Sequence, residues 1–208
     1  MKKIALFFVA GIILAACSVK NPDGDKAKTT DGAEVSATEG TELAVNASAS
    51  KIIWTGSKVT GTHTGTVALK SGSVWVKDGK ITGGNFVTDQ NTINDTDMQG
   101  EYKDKLDGHL KSPDFFDVAK FPEAKFEITS VTEGTEAGKV TIAGNLTLRG
   151  VTKNITFPAT VTEVSATAVK ASADFNVLRE DWGIVYTGMA DDLISKEFNL
   201  KVELVAGS

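Results

Sequence analysis

The chain has 208 residues, a single cysteine and a formal net charge of −5, with 41% hydrophobic residues. That length supports one domain with a sizeable core. The acidic balance argues against nucleic acid or an anionic lipid surface as a partner, and a lone cysteine rules out a disulfide within the chain.

Lys2 and Lys3 give a positively charged start, and Ile4 to Ala16 follow as an uncharged run. The run is too short to span a hydrocarbon core of roughly 30 Å and has the anatomy of a signal peptide, assigned to residues 1–16. It ends in Leu14-Ala15-Ala16-Cys17, a lipobox: small residues suit a signal peptidase groove, and the thiol can be acylated before cleavage. Cys17 is therefore expected to become the lipidated first residue of the mature protein. More than one acyl chain on that residue, at about 0.8 kcal/mol per buried methylene, would keep the protein on its membrane. The expected location is the cell envelope, facing the periplasm. Ser18 stands where an aspartate retains lipoproteins in the inner membrane of enteric bacteria, which favours the outer membrane.

From Cys17 to about Asn46 the sequence is dominated by Ser, Thr, Gly, Asp, Glu and Lys, with few large apolar residues. Such a segment buries too little to fold by itself. Residues 17–46 are expected to form a flexible tether with a reach of roughly 30 Å, leaving residues 47–208 as the folded domain.

Within that domain the hydrophobic period is two. Short alternating pieces lie at Ile53 to Thr55, Val67 to Leu69, Val74 to Val76 and Phe126 to Ile128. Longer ones place Val140, Ile142, Gly144, Leu146 and Leu148 on one face of a strand, then Val169, Ala171, Ala173, Phe175 and Val177, then Phe198, Leu200, Val202 and Leu204. Asp78-Gly79, Gly83-Gly84, Glu133-Gly134 and Arg149-Gly150 read as turns between them. Many short strands at this spacing predict an antiparallel sandwich or barrel.

One stretch breaks the pattern. Leu106, His109 and Leu110 form a helical stripe. Ser112-Pro113-Asp114 then resembles an N-cap, a first-position proline and a first-turn acid, which predicts a short helix starting at Pro113 and carrying Phe115 and Phe116. Phe121-Pro122 would end it.

Five segments in order resemble the YceI family of bacterial exported proteins over residues 48–204: SKIIWTGSKVTGTHTGTVALKSG from Ser50, GGNFVTDQNTI from Gly83, KLDGHLKSPDFFDVAKFPEAKF from Lys105, AGNLTLRGVTKNITFP from Ala143 and FNVLREDWGI from Phe175. The resemblance implies an all-β, lipocalin-like antiparallel β-barrel of about eight strands with short helical inserts, closed over a long apolar channel. It also implies an isoprenoid or other long-chain amphiphilic lipid as the partner, such as a polyprenyl chain or an isoprenoid quinone. Many members lack the lipobox and tether seen here, and Ser50 to Gly72 matches a variant form of the first two strands.

Apolar residues in the matching segments are the candidates for the channel wall: Trp54, Phe86, Leu106, Leu110, Phe115, Phe116, Phe126, Leu146, Phe175 and Trp182. An apolar tail needs a continuous apolar wall, and inward-facing small residues such as Gly144, Ala171 and Ala173 favour a hollow barrel over a filled one. His63, His109 and Arg179 are the polar candidates for a headgroup, since a greasy pocket needs few donors to orient its ligand. Arg179 could instead hold Asp181 or another rim acid.

Enzyme chemistry has little support. His63 and His109 are the only histidines, no G-x-S-x-G elbow occurs, and Cys17 is consumed by acylation. Asp95, Asp97, Gln99 and Gly100 imitate the start of an EF-hand loop, but Leu106 stands where calcium requires a bidentate Glu, so the segment reads as a solvated loop. Two histidines alone make an incomplete metal site, and no cofactor is indicated. Glu180 and Asp181 read as a rim turn. A structural envelope protein with a filled core and a hydrolase acting on an amphiphile are the competing readings, and self-association into a homodimer is left open.

Overall fold

The computed structural model of the chain describes residues 19–35 and 38–207; the predicted signal peptide and the predicted acylation site Cys17 lie outside them. Three short strands come first, β1 (Asp25–Lys26), β2 (Lys28–Asp31) and β3 (Thr41–Ala44). They are followed by β4 (Lys51–Lys58), β5 (Gly61–Lys77), β6 (Lys80–Asp95), helix α1 (Gly100–Lys111), β7 (Glu123–Glu133), β8 (Lys139–Leu148) and β9 (Val151–Val164). Then come β10 (Ala168–Leu178), a 3-10 turn at Arg179–Trp182, the two-residue β11 (Gly188–Met189) and β12 (Asp192–Gly207).

The strands from β4 to β10 each pair antiparallel with the next, β10 pairs with β12, and β12 returns to β4. The sheet therefore closes on itself as an eight-stranded antiparallel β-barrel, the architecture that removes exposed strand edges. Period-two patterning accounts for the closure. In β8, Val140, Ile142, Leu146 and Leu148 are all buried, and the same alternation turns Phe175 and Val177 of β10 inward.

Two of the predicted turns are tight β-hairpins. Asp78 and Gly79 have φ of 52° and 71°, and Arg149 and Gly150 have φ of 50° and 74°. These are the successive positive values that match strand twist. Glu133 ends β7, and Gly134 opens the loop to β8. Gly83-Gly84 is not a turn. Both residues lie inside β6, where an added Cβ on Gly84 would come within 3.0 Å of the Phe86 ring and Ile128.

The helical region also differs from expectation. The stripe of Leu106, His109 and Leu110 lies in α1, but no helix starts at Pro113. Ser112 instead ends α1 in extended geometry, with φ −73° and ψ 169°, and its hydroxyl donates to the carbonyl of His109 at 2.8 Å. The proline ring excludes the helical conformation from the residue before it. Phe115 and Phe116 therefore sit on a turn.

The tether reading is overturned for the described part of residues 17–46. β10 pairs with β9 only over Val169 to Ala173. Beyond that the two strands part, and the N-terminal segment fills the gap. There β1 lies parallel to Phe175 and Asn176 of β10, and β2 lies antiparallel to Lys153 to Thr156 of β9. Ala27, between them, is 3% exposed. Farther along, β3 pairs with the second half of β5, continuing the line of β4 beyond the turn at residues 47–49. A polar segment can do this because strand addition is carried by main-chain hydrogen bonds, which need no apolar side chains.

Candidate functional site

Alternate residues of nearly every barrel strand face a common interior cavity of about 250 Å³. From β12 come Phe198, Leu200, Val202 and Leu204, and from β10 Ala171, Ala173 and Phe175. At about 3.4 Å per residue, the run from Phe198 to Leu204 lines roughly 20 Å of wall. Phe198, Leu200 and Val202 remain half-buried although they face inward. In a filled core their side chains would be closed off by neighbours, so their residual exposure reports a hollow interior.

Four phenylalanines from different strands form a belt around this wall. Phe86 and Phe126 have ring centroids 6.2 Å apart, Phe126 and Phe157 5.7 Å, and Phe157 and Phe175 3.9 Å with an interplanar angle of 11°. On the helical side, Phe116 meets Phe198 edge-on at 6.2 Å. Gly144 does not contribute open space as expected. It faces Phe126, whose Cζ would lie 2.3 Å from an added Cβ, so its missing side chain seats the ring.

Of the residues singled out from the sequence, Trp54, Phe86, Leu110, Phe115, Phe116, Phe126, Leu146, Phe175 and Arg179 line the cavity. Four do not. Leu106 lies on the half-buried side of α1, away from the wall. Trp182 is 1% exposed in the core and donates from Nε1 to the carbonyl of Leu146 at 3.0 Å. His109 packs edge-on against Phe115 and Tyr186, with centroids 4.9 and 4.8 Å away, and its Nε2 is 3.2 Å from an Asp114 carboxylate oxygen. His63 belongs to a separate cluster, 3.4 Å from Asp97 through Nδ1.

The wall includes residues that sequence reasoning missed, among them Ile52, Ile142, Ile155, Phe157 and Leu200. Their signal was the alternation itself; selecting large residues from matched segments passed over it.

Arg179 does not bind Asp181. Its guanidinium is 3% exposed and donates to three main-chain carbonyls, of Ser195 at 2.8 Å, Ile184 at 2.6 Å and Ile194 at 3.5 Å. Burial pulls its pKa down, while the Glu180 carboxylate partly opposes this. Its hydrogen bonds fasten the 3-10 turn to the start of β12. Polar groups of the wall gather here, with Ser57, Ser195 and Glu197 close in the fold. Glu197 is itself held by Lys26 at 3.0 Å. The cavity wall carries no histidine or cysteine among the described residues.

A profile of the YceI-like domain matches residues 43–206. Curated proteins named Protein YceI from Salmonella arizonae and Salmonella newport are each 46% identical over 68 residues, 33% of this chain and 34% of the relative. The aligned region thus spans about a third of those relatives' length. Among solved structures, Burkholderia cenocepacia BcnA superposes with a TM-score of 0.61 at 19% identity, over 78% of this chain and 99% of the other. A polyisoprenoid binding domain from Saccharophagus degradans gives 0.58 at 17% identity, over 82% and 99%. A Campylobacter jejuni YceI protein gives 0.52 at 22% identity, over 67% and 82%.

Proposed function

Because the chain belongs to the YceI-like domain family, we propose that it binds one long-chain isoprenoid-type lipid along its barrel and holds or carries it at the cell envelope. The observation that carries this reading is the continuous apolar wall, banded by Phe86, Phe126, Phe157 and Phe175. A prenyl tail lying on it would gain about 25 cal/mol for each Å² of apolar surface removed from water. The few polar groups gathered near Arg179, namely Ser57, Ser195 and Glu197, suit the headgroup end of an amphiphile. The name of the Saccharophagus structure, a polyisoprenoid binding domain, points to the same ligand class.

A binding role is favoured over a catalytic one because no histidine or cysteine reaches the wall among the described residues, so no Ser–His or Cys–His pair faces the ligand space. Anchoring through an acylated Cys17 is part of the same proposal and rests on the sequence. Bound at a membrane by its N-terminus, a barrel with a greasy interior can exchange lipid with the bilayer beside it. Mass spectrometry of an organic extract from purified protein tests the reading. A stoichiometric isoprenoid lipid is expected; an extract with no long-chain lipid, followed by failure to load one from vesicles, overturns it.

A further inference from the structure

His63, Asp95 and Asp97 converge outside the lipid cavity, at the junction between β6 and α1. Their convergence follows from strand register. Asp95 ends β6 opposite Gly65 of β5, and the ladder continues one step further, where Thr96 donates from its main-chain N–H to the carbonyl of Thr64 at 3.0 Å. The same register places Asp97 opposite His63. Residues directly opposite in an antiparallel pair share a face, as do residues two apart along a strand. One ligating atom from each of the three side chains accordingly lies within 4.8 Å of the others.

Two atoms in this group lack hydrogen-bond partners among the described residues. Asp95 is 0% exposed, and among the described residues its Oδ2 has no N–H or hydroxyl donor; it faces the Asp97 carboxyl, which can satisfy it only if the pair shares a proton or a cation. His63 Nδ1 is also buried without a hydrogen bond, 3.4 Å from a carboxylate oxygen of Asp97. A buried carboxylate oxygen left unpaired costs about 1–3 kcal/mol or more, and the nearby second carboxylate adds repulsion. The rest of Asp95 is firmly positioned. Its Oδ1 accepts from the Met98 N–H at 2.7 Å, and its own N–H donates to Asp107 Oδ1 at 2.7 Å. The Lys103 ammonium is turned away to Asn94 and Asp107.

We propose that His63, Asp95 and Asp97 bind one divalent cation of the zinc type, which staples the start of β5 to the connection between β6 and α1. An imidazole nitrogen among the donors selects a borderline metal over calcium, which takes about six to eight oxygens. A tetrahedral centre with bonds of about 2.1 Å sets its ligand atoms roughly 3.4 Å apart, the separation between His63 and Asp97. Their side chains are 27% and 35% exposed, which leaves a solvent side where water completes the coordination. The Asp107 carboxylate fixes the Asp95 main chain through its N–H, and the Met98 N–H holds the carboxylate itself. The site is independent of the lipid reading, because none of the three residues lines the cavity.

Titration of the metal-stripped full chain in detergent with zinc chloride alone tests the proposal, read by calorimetry and by thermal melting. One zinc per chain is expected, with a rise in Tm that EDTA reverses and with no competition from an excess of calcium. His63→Gln and Asp97→Asn alter partly exposed side chains and should fold. Each should weaken zinc binding by roughly tenfold or more and abolish the zinc-dependent rise in Tm. Absence of saturable zinc binding up to about 1 mM, or wild-type affinity in both variants, overturns the site.

Discussion

The main-chain N–H of Ala27 donates to the carbonyl of Asn176 at 2.9 Å, and the Asn176 side-chain amide donates to the carbonyl of Pro22 at 2.8 Å. These two contacts hold the N-terminal segment in the seam where β9 and β10 diverge. The Asn176 side-chain oxygen also accepts from Asn199 at 3.0 Å, so one buried amide joins the segment to β12.

Asn176→Ala should therefore loosen the seam. Leaving the Asn199 amide and the Pro22 carbonyl short of a partner should cost about 1–3 kcal/mol. The urea midpoint should fall, and amide exchange over residues 25–31 should accelerate. An unchanged midpoint with unchanged exchange would show that the segment does not depend on this contact.

Gly144 should not tolerate a larger residue. Since a Cβ there would lie 2.3 Å from Phe126 Cζ, Gly144→Val should force the ring from its seat and cost about 1–3 kcal/mol by overpacking. Thermal melting measures the loss, and a wild-type Tm would contradict the packing described here.

Filling the cavity separates lipid binding from folding. Ala171 and Ala173 face the hollow interior, so Ala171→Phe should reduce recovered lipid severalfold while Tm holds or rises. Full lipid recovery from a folded Ala171→Phe protein would place the ligand elsewhere.

The anchor is tested at Cys17. Cys17→Ala should leave an uncleaved precursor or release product into the soluble fraction. Cell fractionation decides, and a variant that matures normally and stays with membranes rules lipidation out.

Stability should also respond to pH through Asp192. Its carboxyl is held below the usual carboxylate range by the Lys58 ammonium at 2.7 Å and by Thr60, against a smaller opposing effect of burial. A folded-state pKa below the unfolded one contributes stability above the unfolded value, near pH 4, that is lost as pH falls through the lower folded value. The difference in denaturation midpoint between wild type and Asp192→Asn should therefore be present at neutral pH and vanish in acid. A difference that persists unchanged at about pH 2 would assign the effect to packing.

The sequence by itself determined the class of this protein. Alternation in Val140 to Leu148 and Phe198 to Leu204 specified strands with one apolar face, and Asp78-Gly79 and Arg149-Gly150 specified the hairpins joining them, because both signals are local. The stripe of Leu106, His109 and Leu110 was readable for the same reason. Five ordered segments carried the family, and most of the aromatic wall followed. Gly83-Gly84 and Ser112-Pro113 misled because each dipeptide serves two structures, and only neighbours distant in sequence select between them. The Phe86 ring and Ile128 make room for Gly84 within β6, and Pro113 ends the helix before it rather than starting one after it.

Tertiary structure alone decided three further matters. It brought a polar N-terminal segment into the seam, since main-chain pairing with β9 and β10 leaves no hydrophobic signature in Lys28 to Asp31. It left the barrel hollow, because whether inward side chains meet across the interior depends on barrel width and on how Phe157 stacks against Phe175. It also buried Asp95, read from sequence as a solvated loop residue, beside His63. The two are far apart along the chain, and only the register of β5 against β6 makes them neighbours.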